Sequence, residues 1–136
     1  MRTTTTMATL GALTLTAVVG AAAPAAAEPA WGPFAVHTFT MYEGEGTSGP
    51  VLSQVTLECY PTDGTHPSAD EACSTLTNVW GDFENLPQQQ GVPCYDVWAP
   101  VTVTAQGHWF NQSTDFERTY SNDCDAAVIS GRVFDF

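Results

Sequence analysis

Positive charge is the scarcest commodity in this chain. Its 136 residues carry three basic side chains, Arg2, Arg118 and Arg132, against 15 acidic ones. So anionic a surface repels phosphate backbones and acidic headgroups, which excludes nucleic acid and anionic membrane surfaces as partners. Long apolar runs are scarce too. The one extended stretch, residues 7–20, is short for a bilayer span and has no stop-transfer flank. There is no C-x-x-C pair to suggest zinc, no G-x-S-x-G around a serine and no EF-hand ligand pattern. Acidic clusters offer calcium only weak footholds. No internal repeat is present, and nothing calls for a cofactor or a resident metal.

What is present begins with an export signal. Arg2 supplies a weakly positive start, residues 7–20 a small-residue apolar stretch, and Ala25-Ala26-Ala27 a cleavage pattern. The expectation is a signal peptide over residues 1–27 and a secreted, extracellular domain over 28–136, with cleavage after Ala23 as the alternative. No twin arginine is found, so the general secretory route is the default. The remaining 109 residues (136 less 27) suffice for one modest core, and their two arginines against 15 acids give a net charge of −13. Such acidity keeps an exported protein soluble; steering towards a basic partner is the sharper alternative.

Four cysteines, Cys59, Cys73, Cys94 and Cys124, spaced by 14, 21 and 30 residues, read as two disulfides in an exported chain. Three connectivities are open. The sequential one closes two short, non-crossing loops, each bridge stabilising by roughly 3–4 kcal/mol.

Alternation over residues 34–42 and 51–60, with turn residues 43–50 between, predicts a hairpin. Residues 61–67 form a loop. Ser68-Ala69-Asp70-Glu71 is a capping box, followed by Ala72, Cys73, Leu76, Val79 and Trp80 on one helical face and by Gly81 as a stop. Residues 82–91 read as a polar spacer. Residues 101–105 are a strand, Gln106-Gly107 a turn, and 108–110 the return; 115–122 continue as strand, and 132–136 alternate as a last one. About five strands and one or two helices make an antiparallel α+β domain.

Catalytic chemistry finds little support. His37, His66 and His108 have no partner motif, and His66 in Gly64-Thr65-His66-Pro67 reads as a loop histidine bonding the backbone. With 15 acids, some carboxylate pair always mimics a glycosidase site. Asn111-Gln112-Ser113 matches a glycosylation sequon that often arises by chance. The chain is expected not to be an enzyme. The informative segment is Val92-Pro93-Cys94-Tyr95-Asp96-Val97-Trp98-Ala99-Pro100, a substrate-like run tethered by a cysteine, closed by proline and followed by a strand.

Segments throughout the mature chain resemble the subtilisin inhibitor family first known from Streptomyces. They are Val55-Thr56-Leu57-Glu58-Cys59, Gly64-Thr65-His66-Pro67, Ala72-Cys73, Gly81-Asp82-Phe83 and Pro100-Val101-Thr102-Val103-Thr104. Further on come Gly107-His108-Trp109, Phe116-Glu117-Arg118, Ser121-Asn122-Asp123-Cys124 and Val133-Phe134-Asp135-Phe136. The resemblance implies disulfides Cys59–Cys73 and Cys94–Cys124, a five-stranded antiparallel sheet with two helices, and a homodimer packed through sheet faces. It also implies inhibition of an extracellular serine protease by a reactive-site loop. The family's primary specificity residue lies two positions after the third cysteine, which makes Asp96–Val97 the reactive bond. Pro93, Cys94, Tyr95 and Trp98 would contact the protease, and Asn122, near Cys124, would prop the loop from behind.

Two positions depart from the family pattern. Asp96 stands where Met, Lys or another long residue is usual, and Tyr95 where proline is usual. An ionised aspartate buried without a partner in an apolar pocket costs several kcal/mol. Three outcomes are therefore open: the target is an acid-tolerant or glutamyl- or aspartyl-specific subtilisin- or chymotrypsin-like protease, or inhibition is weak, or contacts from Pro93, Tyr95 and Trp98 compensate. The competing reading is a non-inhibitory, secreted acidic adaptor on the same fold.

Overall fold

Alternation of buried and half-buried residues over 35–39 opens the first strand. A computed structural model describes Gly20 and residues 32–136. Gly20 apart, the expected signal peptide and its cleavage site lie outside the described residues. Strand β1 (Ala35–Glu43) pairs antiparallel with β2 (Val51–Cys59) as the expected hairpin, in a register that places Ala35 opposite Cys59 and Phe39 opposite Val55. A two-residue strand β3 (Asp63–Gly64) lies against β2, where the sequence suggested only loop. Helix α1 (Ala69–Asn78) and a 3-10 turn (Phe83–Asn85) follow, then β4 (Val101–Trp109), β5 (Gln112–Tyr120) and helix α2 (Asp123–Ile129). The strands run in the order β3-β2-β1-β4-β5, all antiparallel. The α+β class, five strands, two helices and two bridges agree with the expectation.

One sheet face builds the core. Phe39, Leu57, Val103, Ala105, Trp109 and Phe116 point to it and cluster with Ala72 and Leu76 of α1 and Ala126 of α2. Phe134 lies among them, its ring packed against Phe39, Phe83, Phe116 and Tyr120. Burial of these large rings supplies the main driving force for folding. Bridge Cys59–Cys73, with Cα atoms 5.7 Å apart, ties α1 to the end of β2 from within this cluster. His66 lies buried beside it and behaves as the backbone-bonding loop histidine expected. Ser68 N–H donates to its Nδ1 (3.1 Å), so its Nε2–H donates to the Val133 carbonyl (2.9 Å). Burial holds its pKa below the ordinary histidine value.

Several local expectations fail for identifiable reasons. Helix α1 starts where the capping box placed it, but Ser68 makes no side-chain capping bond, and the Glu71 carboxylate lies 3.8 Å from Arg132 instead. Trp80 is not on the buried helical face. It follows the helix at φ 54°, well exposed, its ring stacked on Phe110. Gln106-Gly107 is no turn, because β4 runs unbroken through it. Gly107 is needed inside the strand, where a Cβ would sit 1.9 Å from the Val36 carbonyl oxygen at φ +148°. The reversal comes later, at Phe110, with φ 52°. Residues 82–91 are more than a spacer, since Phe83 is buried and Gln89 N–H donates to Val128 O at 2.9 Å. Residues 132–136 form turns rather than a strand: Val133 and Phe134 are both buried, which alternation forbids, and Phe134 N–H donates to Ser130 Oγ at 2.9 Å.

Candidate functional site

Residues 92–100 join the 3-10 turn region to β4 without regular structure, and most of their side chains face solvent. Tyr95, Val97 and Trp98 are 54%, 53% and 67% exposed. Exposed aromatic and aliphatic side chains gathered in one short segment make it a candidate contact surface. The Asp96 carboxylate between them belongs to none of the three ion pairs among the described residues, and Pro93 is exposed beside them.

Three attachments hold this segment from behind. Cys94 is bonded to Cys124 on α2, with Cα atoms 5.7 Å apart. Ala99 N–H donates to the Ser121 carbonyl at 2.9 Å. Between these ends stands Asn122, only 1% exposed. Its Nδ2 donates to the Val97 carbonyl at 3.0 Å and to the Tyr95 carbonyl at 3.3 Å, so one amide grips the residues on both sides of Asp96. The amide oxygen of Asn122 accepts from Asp125 N–H at 2.9 Å, capping α2. Helix and loop are thus positioned by the same side chain. The sequence does carry a start signal for α2, Asn122 three residues before Asp125, with acids in the first turn.

The reading from sequence missed Asp123. The Tyr95 hydroxyl donates to its Oδ1, which also accepts from Cys124 N–H at 2.9 Å. That carboxylate, first among the causes, raises the Tyr95 pKa above the ordinary tyrosine value. The foot of the loop is fixed as well. Gly44 N–H donates to the Pro100 carbonyl at 2.8 Å, while Thr102 Oγ1 donates to Gly44 O and accepts from Gly46 N–H. The structure therefore brings together Cys94, Tyr95, Val97, Asn122 and Cys124. It leaves Pro93, Asp96 and Trp98 pointing outward with no described side-chain partner.

A protein-family model described as subtilisin inhibitor-like matches residues 34–122. The chain belongs to the subtilisin inhibitor-like family. A trypsin inhibitor of Streptomyces longisporus is 41% identical over 132 residues, covering 91% of this chain and 92% of its own. A subtilase-type protease inhibitor of Streptomyces coelicolor is 41% identical over 138 residues, covering 95% and 94%. Among solved structures, the complex of Streptomyces caespitosus sermetstatin with Bacillus licheniformis subtilisin matches with a TM-score of 0.63 and 31% identity. The match covers 75% of this chain and 98% of that one. Membership of this family, whose named members are inhibitors, agrees with reading the chain as no enzyme. Among the described residues no helix is long and apolar enough to cross a membrane.

Proposed function

We propose that this subtilisin inhibitor-like protein is a secreted inhibitor of an extracellular serine protease, with Asp96–Val97 as the bond offered to the enzyme. The observation that carries this reading is the Asn122 amide, which holds the carbonyls of Tyr95 and Val97 on either side of that bond. A loop ordered before binding loses little entropy on docking, so its contacts are available for affinity. Attack of the protease serine on the Asp96 carbonyl forms an acyl-enzyme and frees the Val97 amine. Disulfide Cys94–Cys124 retains the acyl half, while Asn122 and the Ala99–Ser121 bond retain the amine half. The amine can then return to the acyl carbon, remaking the peptide and releasing the serine hydroxyl. Hydrolysis is slow because neither product leaves.

The partner is a subtilisin-like or acid-specific serine protease whose specificity site accepts Asp96. Cys94, Tyr95 and Trp98 flank it, and Pro93 lies farther out. The chain also pairs with itself through the sheet face turned away from the core, on which Thr38 and Tyr42 of β1 stand half-buried in register with Gln106 and Thr102 of β4.

The deciding experiment measures inhibition constants against subtilisin, trypsin and a glutamyl-specific protease, with mass spectrometry of the cleavage products. Slow, tight inhibition with limited cut after Asp96 is expected for the acid-accepting enzyme. Asp96→Met is expected to strengthen inhibition of subtilisin at least ~tenfold by removing a desolvated charge. Equal constants for the two variants would remove Asp96 from the specificity pocket. Rapid digestion by the panel, or indifference to it, favours an acidic adaptor.

A further inference from the structure

The two sides of Asp96 are held unequally by the main attachments. On the side that follows it, Val97 O accepts from Asn122 at 3.0 Å and Ala99 N–H reaches Ser121 at 2.9 Å. On the side that precedes it, the Asn122 bond to Tyr95 O is stretched to 3.3 Å, and Tyr95 N–H has no backbone acceptor among the described residues. A bond of that length contributes little. Beyond the Cys94–Cys124 disulfide, which fixes its neighbour, the remaining restraint on residue 95 comes through its own side chain.

We infer that Tyr95 and Asp123 form a latch that fixes the residue preceding the reactive bond, making both of them positioning residues for inhibition. This inference rests on the function proposed above. The Tyr95 hydroxyl donates to Asp123 Oδ1, the same oxygen accepts from Cys124 N–H at 2.9 Å, and Cys124 is bonded to Cys94, the neighbour of Tyr95. These links close a ring: Cys94, Tyr95, the phenol, Asp123, Cys124 and back through the disulfide. Within such a ring the backbone of Tyr95 cannot turn without breaking a charge-assisted hydrogen bond, the stronger kind. The latch supplies by side chain the stiffness that proline would supply by its covalent ring. Its energy acts on loop geometry rather than on the core, because the phenol is more than half exposed and every core contact of the sheet lies elsewhere.

The test uses the full secreted chain in three single variants and one double. Tyr95→Phe and Asp123→Ala each remove the latch and are expected to speed cleavage of the Asp96–Val97 bond, and to weaken inhibition, by about tenfold. Asp123→Asn keeps an acceptor oxygen and is expected to recover most of the loss. Tyr95→Pro combined with Asp123→Ala restores slow cleavage, because proline fixes φ and no backbone donor is lost. Melting temperatures stay within about 2 °C of the parent throughout. In the free protein, amide order parameters of residues 96 and 97 fall from about 0.85 to below about 0.6 in Tyr95→Phe and Asp123→Ala.

A loss in Tyr95→Phe with none in Asp123→Ala assigns the hydroxyl to direct protease contact and overturns the latch. Unchanged order parameters in both overturn it too, whatever the inhibition. Order parameters that respond as stated, in a parent that inhibits no protease, support the latch and sink only the inhibitory function.

Discussion

The two disulfides join cysteines 14 and 30 residues apart in sequence, and they hold different kinds of structure. Cys59–Cys73 joins a strand to a helix inside the hydrophobic cluster, where packing already specifies the geometry. Cys94–Cys124 joins a helix to a segment with no regular structure, where only a few hydrogen bonds to side chains and neighbouring loops do so besides. Loop-closure entropy grows only logarithmically, so the two bridges are worth about 3 and about 4 kcal/mol against the unfolded chain. Near-equal contributions to stability thus accompany very unequal contributions to shape. A crosslink matters to function where the native state would otherwise wander, and to stability wherever the unfolded chain is constrained.

The largest effect that sharpens this comparison is expected at the loop. Replacing Cys94 and Cys124 together by serine leaves the segment held only by its hydrogen bonds to Asn122, Ser121, Asp123 and Gly44. Inhibition is expected to weaken by at least ~100-fold, from the loss of a preordered loop. Cleavage after Asp96 should turn from a reversible stall into release of the protease. Product analysis by mass spectrometry with an inhibition constant reads both. A double variant that still inhibits as the parent does would make the bridge redundant with the Asn122 amide.

The same exchange at Cys59 and Cys73 is expected to lower the free energy of unfolding by about 3 kcal/mol, read by urea denaturation. Below its melting temperature this variant should inhibit within about threefold of the parent, because the loop and its supports lie on other elements. A tenfold loss of inhibition in a folded Cys59→Ser/Cys73→Ser variant would break the division of labour between the two bridges.

The same contrast governs how much could be read from sequence. Where burial repeats along a regular element, the pattern is in the residues: β1 and β2 show alternation, and α1 shows Ala72, Cys73 and Leu76 at helical spacing. The errors fall where one residue has a tertiary reason. Gly107 looks like a turn former, yet it sits in β4 because the neighbouring strand comes too close for a side chain. Residues 132–136 alternate like a strand, but Phe134 is drawn into the ring cluster beside Phe83 and Phe116 instead of pairing at a sheet edge. Helix α2 has only seven residues, too few for periodicity to show. The loop was legible from Cys94, Pro100 and family spacing. Asp123 was not, because a hydroxyl reaching across 28 residues leaves no local pattern.

Acid offers a smaller way to separate fold from loop. His37 lies on β1 two residues from the strand position opposite Cys59, fully buried, its Nε2 2.9 Å from Thr114 Oγ1 on β5. The rings of Phe39, Phe83 and Trp109 surround it, and Nδ1 has no partner among the described residues. Burial first, and then the nearby His108, lower its pKa from 6.5 to about 4. In the unfolded chain His37 takes up a proton near pH 6.5, whereas in the fold it stays neutral down to about 4. Between those values the unfolded state binds more protons, so stability falls as pH falls through this window. At pH 5 the loss from this group is about 2 kcal/mol relative to pH 8. His37→Phe has no such proton to bind and should flatten the dependence of unfolding free energy on pH between 8 and 5, measured by urea titration at each pH. Because no loop residue touches His37, inhibition by the folded fraction should stay level over the same range. A pH slope unaltered in His37→Phe would move the acid-sensitive group elsewhere, and a parallel loss of inhibition would couple the two ends that the disulfides keep apart.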